Sequence, residues 1–393
     1  MKRQIKVIAD ANIPFLPGVL DPYAEVRYLP SSEIHRESIR GSDALFIRTR
    51  TRCGPQLLDG SGIKFIATAS IGFDHIDTHY CESRHITWVH APGCNSWSVT
   101  QYVASALLTV ARMKNFDLSR MTIGIVGVGN VGRKVAGLAQ SLGLRVFLND
   151  PPRMRTEGRD GFVDLDELMT ESDIISFHVP LIHDGVDKTQ HMADESFFAK
   201  LGHKAVLLNT SRGPVVETRA LKDALRKGNI DACVLDVWEN EPDIDRELLD
   251  AVDIATPHIA GYSADGKANG TAVCVREMNS FFHLGMDENW YPAEIPSPSD
   301  SRDLVLDCRG KKKPEIISEA VLATYSVLRD DETLRESVAT FERQRNGYPV
   351  RREFPFYRVT LLHGSEDIRR TLADLGFSGS ETDPQISQNE PGA

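Results

Sequence analysis

The sequence predicts an α/β protein: two doubly wound parallel-sheet domains followed by a small α+β domain at the C-terminal end. Three observations point there. Short β-branched runs alternate with helical spacing from the N-terminus onward, the same rhythm restarts at Thr122 beside a glycine-rich loop, and prolines cluster over residues 291–300. Strands alternating with helices are the mark of parallel sheets, because a parallel connection needs a crossover long enough to hold a helix.

Taken in order, I-K-V-I-A-D, A-L-F-I-R-T and I-K-F-I-A-T-A are strands of a first domain of flavodoxin-like type. A helix follows from roughly Ser98 to Met113, with a nearly continuous face of Val, Ala and Leu that calls for burial. From Thr122 the runs T-I-G-I-V, L-R-V-F-L-N-D, D-I-I-S-F-H-V, A-V-L-L-N-T, A-C-V-L-D-V and D-I-A-T predict a six-stranded parallel unit. A helix from about Ser263 to Leu284 returns the chain to the first domain. The segment Y-P-A-E-I-P-S-P-S-D then reads as a linker. Beyond it, D-L-V-L-D-C, a long helix from Pro314, Y-R-V-T-L-L-H and D-I-R-R-T-L-A-D-L give strand, helix, strand, helix. The expected domains are 1–95 with 259–285, 96–258, and 286–380, with a polar tail over 381–393 expected to be disordered.

A chain of 393 residues with 41% hydrophobic content can bury a large core. A net charge of -11 disfavours nucleic acid and anionic membranes as partners, since both need a positive field, and leaves a small molecule as the expected partner. The opening M-K-R-Q-I-K-V-I-A-D turns polar before a signal-type apolar run develops, and no stretch is long enough to span a bilayer, so the expected location is the cytoplasm. Six cysteines without a C-x-x-C pair fit reduced thiols rather than a disulfide framework or zinc site.

The loop G-V-G-N-V-G, Gly127 to Gly132, follows a strand and opens a helix. Glycines there let the backbone approach a pyrophosphate held at the helix N-terminus, which is the Rossmann fingerprint for a dinucleotide. Gly127, Gly129, Asn130, Val131 and Gly132 are therefore expected cofactor contacts. Asp150 ends the next strand about 20 residues on, where a carboxylate binds a ribose 2′-hydroxyl and repels a 2′-phosphate. NAD is favoured over NADP, with Arg153 and Arg155 leaving a countercurrent, since an arginine there can neutralise a phosphate.

Three further pieces end strands of the same unit: N-T-S-R-G (209–213), L-D-V-W-E-N-E-P (235–242) and T-P-H-I-A-G-Y (256–262). Strand carboxyl ends converge on one crevice in a doubly wound sheet, so Arg212, Glu241 and His258 can meet around a reacting centre. Histidine exchanges a proton near neutral pH, a glutamate beside it favours its charged form, and arginine offers a planar fork to a carboxylate. Together these are the parts needed to oxidise a 2-hydroxy acid.

With these motifs the chain resembles the D-2-hydroxyacid dehydrogenase family over roughly residues 1–285. The resemblance implies Arg212, Glu241 and His258 as catalytic residues and extends the NAD contacts to His178, Val179, Thr210, Ser211, Arg212, Asp236 and Gly261. Val179 stands where the family often has a threonine, which removes one hydroxyl from the cofactor's surroundings. The resemblance also implies Thr49, Ser70 and Tyr262 as substrate contacts. Within the family it is most like a branch acting on phosphorylated 2-hydroxy acids, which carries A-P-G-C-N, N-D-P-P-R and H-I-A-G-Y and a C-terminal domain serving homodimerisation. Arg48 and Arg50 are expected to attract the substrate phosphate, and the Tyr262 hydroxyl to favour such a long acid. His75 and His79 in D-H-I-D-T-H-Y lie four apart, but no glutamate stands beside the first as a base, and no metal is expected. Two alternatives stay open: another family member such as a 3-phosphoglycerate dehydrogenase, whose βαββαβ regulatory tail this pattern does not match, and a non-enzymatic NAD-sensing corepressor.

Overall fold

In the computed structural model, which describes residues 4–299 and 301–382, the chain forms two compact units. The first takes Met1–Asn95 and Ser263–Pro296, the second Ser96–Tyr262 and everything from Ser297.

In the first unit β1 (Lys6–Asp10), β2 (Glu25–Leu29), β3 (Ala44–Ile47), β4 (Phe65–Thr68) and β5 (Thr87–Val89) make a parallel sheet of order β2-β1-β3-β4-β5. The central strands A-L-F-I and F-I-A-T are buried at every position, as expected where both faces are covered. The edge strands β2 and β5 carry polar and half-exposed residues, which is why they do not stand out in the sequence. The helix Ala264–Phe282 packs on β4, and Gly270 keeps its backbone close: a Cβ there would come within 3.2 Å of the Ala69 carbonyl. Its N-terminus is capped by Ser263, whose Oγ accepts from the Gly266 amide at 2.8 Å.

This return segment begins at Ser263 rather than 259 and ends at Pro296 rather than 285. The later start follows from residues 259–260 being gripped in the second unit, as described below. The later end follows from hydrogen bonds back to the helix: Asn279 exchanges two with Met286, at 3.0 and 3.1 Å, and Arg276 Nε donates to the Trp290 carbonyl.

In the second unit β6 (Thr122–Val126), β7 (Arg145–Asn149), β8 (Ile174–Phe177), β9 (Ala205–Asn209), β10 (Ile230–Leu235) and β11 (Ile254–Ala255) form the six-stranded parallel sheet, ordered β11-β10-β9-β8-β6-β7. The order reverses between β6 and β8, and ligands bind at such a switch point. β12 (Asp303–Asp307), β13 (Arg358–Leu362) and β14 (Ser378–Thr382) form a second, parallel sheet in this unit.

The expected domain over 286–380 packs, from Ser297 on, into the second compact unit. Leu306, Ile316 and Val359 share one hydrophobic cluster with Tyr102, Val103 and Ile254. The helix Ser96–Lys114, buried throughout Ser96–Ala111 apart from Trp97, shows the cause. It carries Ser98, Gln101 and Ser105 as well as its apolar face, and the C-terminal segment bonds to each: Ser98 Oγ donates to Glu353 at 2.7 Å, Gln101 Nε2 to the Arg352 carbonyl at 3.0 Å, and Ser105 Oγ to the Tyr325 carbonyl at 3.1 Å. Burying such groups is costly without partners, and these three bonds lower that cost.

The single long helix expected from Pro314 is two, Lys313–Thr324 and Val327–Glu336, broken where Tyr325 turns extended. β14 was not expected, since S-G-S-E-T lacks a β-branched or aromatic run. It carries the fold through Thr382, so the expected tail 381–393 loses its first two residues to the sheet; the remainder lies outside the described residues.

Asp331 finishes the edge of the larger sheet. Its Oδ1 accepts from the Ala255 amide of β11 at 2.7 Å, and its carboxylate holds Arg335, which donates in turn to the Leu249 and Val252 carbonyls. Asp331→Ala leaves the buried Ala255 amide without its acceptor and Arg335 without its counter-charge, a loss of about 2–4 kcal/mol. The expected result is an earlier unfolding transition by circular dichroism, and an unchanged transition would mean that β11 does not depend on this cap.

Candidate active site

The glycine loop leaves β6 with the geometry a dinucleotide needs. Gly127 has φ +89°, and a Cβ on it would lie 2.7 Å from the His178 carbonyl oxygen; a Cβ on Gly132 would lie 1.9 Å from the Gly127 carbonyl oxygen. Neither position accepts a side chain. Gly129, by contrast, faces open space, as does the first turn of the helix Asn130–Ser141, where Asn130 is exposed and Val131 half-buried. Unpaired first-turn amides with open space before them make an anion site.

Asp150 is tied to this loop and to the helix it caps, Pro151–Glu157: Oδ2 accepts from the Val128 amide at 2.8 Å and Oδ1 from the Arg153 amide at 3.1 Å. A carboxylate has roughly four acceptor positions, so two remain for a ribose diol. Arg153 is held by Glu157 in a two-bond fork at 2.7 and 2.6 Å and donates to the Val128 carbonyl, while Arg155 pairs with Asp187. Both arginines that argued for a 2′-phosphate are thereby engaged, and the residues present fit NAD.

On the neighbouring strand end, the Val179 side chain lies against Gly127. His178 turns its ring inward, with Nε2 2.9 Å from Ser176 Oγ and Nδ1 3.4 Å from Thr210 Oγ1; burial pushes its pKa down to about 3, so the ring is neutral.

The three expected catalytic residues sit in loops that follow β9, β10 and β11. His258 Nδ1 is 2.7 Å from Glu241 Oε2, and the second carboxylate oxygen, Oε1, accepts from the Trp238 amide at 2.9 Å. Burial raises the Glu241 pKa, but the attraction and hydrogen bond of His258, the Trp238 amide and the charge of Arg345 outweigh it and hold the carboxyl below its ordinary range. Glu241 is thus ionised at neutral pH. The neighbouring Glu239 has a different task, joining His191 Nε2 at 2.7 Å to the Thr218 amide at 2.8 Å.

Arg212 reaches this place because Gly213 has no side chain: a Cβ there would lie 2.0 Å from the Trp238 carbonyl carbon, so the N-T-S-R-G loop lies directly on the loop carrying Glu241. Asn209 shapes it, its Oδ1 accepting from the Ser211 amide at 3.0 Å and its Nδ2 donating to the Arg212 carbonyl at 2.9 Å.

Two expected cofactor contacts have their side chains engaged within the protein. Ser211 is buried with its Oγ donating to Asn209 at 2.8 Å, leaving only its backbone for a cofactor. Asp236 is 1% exposed, and its carboxylate is consumed by the Ile259 and Ala260 amides, at 2.7 and 2.9 Å, and by the Thr256 hydroxyl at 2.7 Å. The carboxylate thus shapes the histidine loop, which leaves the backbone of Asp236 for a cofactor. The carbonyls of the same two residues are taken by Arg351, whose Nη2 lies 3.2 Å from the Ile259 oxygen and 2.6 Å from the Ala260 oxygen. Asn209, Gly213 and Arg351 are the residues sequence reasoning missed. Gly213 was readable only as part of N-T-S-R-G, and Arg351, more than ninety residues from the loop it holds, carried no local signal.

After the histidine, Gly261 is half-buried, and Tyr262 packs edge-on against Tyr348 with ring centroids 5.9 Å apart. In the first unit, Thr49 is exposed after β3, and Ser70, after β4, has its Oγ 2.9 Å from Thr68 Oγ1. Arg48, expected to attract a phosphate, is committed to the buried Asp10 at 3.1 Å; Arg50 is exposed. His75 precedes the helix Thr78–Ser83 capped by Asp77, so it shares no helical face with His79, and its Nε2 is 3.0 Å from Thr68 Oγ1.

Gly132→Ala drives a methyl into the Gly127 carbonyl and is expected to weaken NADH binding at least about tenfold in a fluorescence titration, roughly a 1.4 kcal/mol change. Gly137→Ala, on the same helix but facing open space, serves as the control and should add about 0.5–1 kcal/mol of stability. Equal binding by both variants would mean that the loop does not hold the cofactor.

The chain is similar to known proteins over most of its length. Residues 98–260 match the NAD-binding domain of the D-isomer-specific 2-hydroxyacid dehydrogenases, and residues 304–376 match a domain of unknown function. An erythronate-4-phosphate dehydrogenase from Bacteroides fragilis is 48% identical, covering 91% of this chain and 99% of its own length. One from Porphyromonas gingivalis is 43% identical, over 95% and 100%. Among solved structures, a D-lactate dehydrogenase from Aquifex aeolicus in complex with NAD and lactic acid is similar with a TM-score of 0.60 and 26% identity, covering 74% of this chain and 100% of its own. The chain belongs to the erythronate-4-phosphate dehydrogenases of the D-isomer-specific 2-hydroxyacid dehydrogenase family.

Proposed function

We propose that this protein oxidises 4-phospho-D-erythronate at its 2-hydroxyl, giving (R)-3-hydroxy-2-oxo-4-phosphonooxybutanoate, with NAD as cofactor, in the route to pyridoxal 5′-phosphate. The observation that carries the reading is the His258–Glu241 pair at 2.7 Å, on a loop that neighbours the one bearing Arg212 in a unit with a dinucleotide loop. NAD, when bound, supplies the hydride acceptor. Everything else falls to side chains of this chain.

His258 presents Nδ1 to Glu241, which leaves Nε2 to take the proton of the substrate hydroxyl as C2 gives up its hydride. The ionised Glu241 orients the ring and stabilises the imidazolium that forms. Arg212, whose Nη1 is steadied by the Ser211 carbonyl at 2.8 Å, takes the substrate carboxylate and polarises the 2-oxygen. Thr49, Ser70 and Tyr262 are proposed substrate contacts on the strength of the family resemblance.

The reading includes a homodimer in the cytoplasm. Support for self-association through the C-terminal segment comes from Val305, 63% exposed on the edge strand β12, together with exposed Leu328 and Val350. No helix among the described residues is long and apolar enough to cross a membrane.

The deciding assay is NADH formation from 4-phosphoerythronate, or transfer to a 2-oxo acid acceptor if the cofactor stays bound. Turnover is expected in the native protein and is expected to vanish in His258→Ala; absence of turnover with any 2-hydroxy acid would favour an NAD-sensing binding protein instead. Glu241→Gln keeps the shape and removes the charge. The His258 ring then loses the charge set against its Nδ1, and with it the stabilisation of the imidazolium formed in the reaction. Turnover should fall on the order of 10²–10⁴-fold. Turnover that stays at the native level would show that this pair does not carry the proton transfer.

A further inference from the structure

The substrate assigned above carries a phosphate at the end opposite its carboxylate. With Arg212 taking the carboxylate, that dianion needs another cation, and Arg48 is already spent on Asp10. The second unit offers one. Arg345, on the short helix Phe341–Asn346, places its guanidinium carbon 5.8 Å from the centre of the Tyr262 ring and 5.9 Å from that of Phe341. Its charge acts on Glu241, so it stands within electrostatic reach of the catalytic pair.

Its hydrogen bonding is incomplete. Nη1 meets Glu342 Oε1 at 3.2 Å, the side chain is 15% exposed, and Nε is buried with no acceptor among the described residues. A buried guanidinium donor without an acceptor is costly, and a phosphate oxygen removes that cost while using the planar fork for which arginine is suited. One ring further on, Arg351 lies 5.7 Å from the Tyr348 ring that packs on Tyr262, but its charge is set against Asp330, which accepts from the Tyr348 hydroxyl, so Arg345 is the cation left for a phosphate. The two aromatic rings limit the rotamers open to Arg345, so little order remains to be gained on binding.

We propose that Arg345 is the subsite for the substrate phosphate and that the C-terminal segment thereby sets the enzyme's preference for a phosphorylated acid. This rests on the function proposed above. Tyr262 then acts through its ring, as the surface on which the guanidinium is laid, beside any role for its hydroxyl.

The test compares the full-length native protein with Arg345→Met on 4-phosphoerythronate and on D-erythronate, with NADH binding followed to confirm the fold. The variant should lose at least about tenfold more kcat/KM with the phosphorylated acid than with the plain one, mainly through KM. Inorganic phosphate should compete with 4-phosphoerythronate in the native protein and lose most of its potency in the variant. Equal losses on both acids, no change in KM, or undiminished phosphate inhibition would each overturn the proposal. If Arg345→Met fails to bind NADH, Arg345→Gln is measured by the same criteria. Absence of turnover in the native protein would count against the proposed function; the subsite is then decided by calorimetric titration with inorganic phosphate, with binding lost in the variant as support and binding retained as refutation.

Discussion

The catalytic loop depends on a two-sided hold on the peptides that follow His258. That histidine has φ +57°, a left-handed conformation that costs a non-glycine residue about 1–2 kcal/mol. Asp236 takes the amides of Ile259 and Ala260, and Arg351 takes their carbonyls. Four charge-assisted bonds, at about 1.5–3 kcal/mol each before mutual offsets, outweigh the strain. The histidine amide itself is pinned to the Asp236 carbonyl at 2.7 Å. With its backbone fixed, the ring has one direction in which to meet Glu241, and a general base needs that fixed geometry more than it needs any particular basicity.

The same logic governs the neighbouring loops, except that close backbone approach replaces side-chain bonds. Gly213 against Trp238 brings the arginine loop onto the glutamate loop, and Gly127 against His178 presses the dinucleotide loop onto the end of β8. Thr256 ties these contacts to the core: its hydroxyl meets Tyr102 and Asp236, both at 2.7 Å, and its carbonyl accepts from Trp238 Nε1 at 3.0 Å. Strand ends in a parallel sheet converge by topology, yet convergence to hydrogen-bond distance required glycine where loops touch and a buried polar network where they bend.

What could be read from the sequence divides along this line. Gly127–Gly132, Asp150, Arg212, Glu241 and His258 were legible because each motif is short and its chemistry lies in the residue types it brings together. The alternation of strands and helices was legible for the same reason, apart from the half-exposed edges β2 and β5 and the glycine-containing β14. Asp236 entered as a cofactor contact through the family resemblance; that its carboxylate also braces the histidine loop shows only in the positions of the Ile259 and Ala260 amides. The unit boundary at Ser263 instead of 259 has the same origin, since residues held by Asp236 and Arg351 cannot belong to the returning helix. Arg351 and Arg345 could not be found by spacing, because their partners lie far away in sequence.

Those two arginines explain why the segment beyond Ser297 does not form a body of its own. Arg351 is 5% exposed, its guanidinium carbon lies 4.5 Å from the Tyr325 ring, and its charge acts on Asp330 and on Asp236. Asp330 accepts from the hydroxyls of Tyr325 and Tyr348, both at 2.7 Å, while burial raises its pKa against the attraction of Arg351 and these bonds. A buried carboxylate such as Asp236 is costly without compensation; burial raises its pKa, and the charge of His258, the Thr256 hydroxyl and the Ile259 and Ala260 amides oppose that rise. The nucleotide-binding sheet and the C-terminal segment share hydrogen bonds through Arg351 as well as a core. Neither keeps the histidine loop in its left-handed form alone, and the segment that has no motif of its own becomes part of the catalytic apparatus.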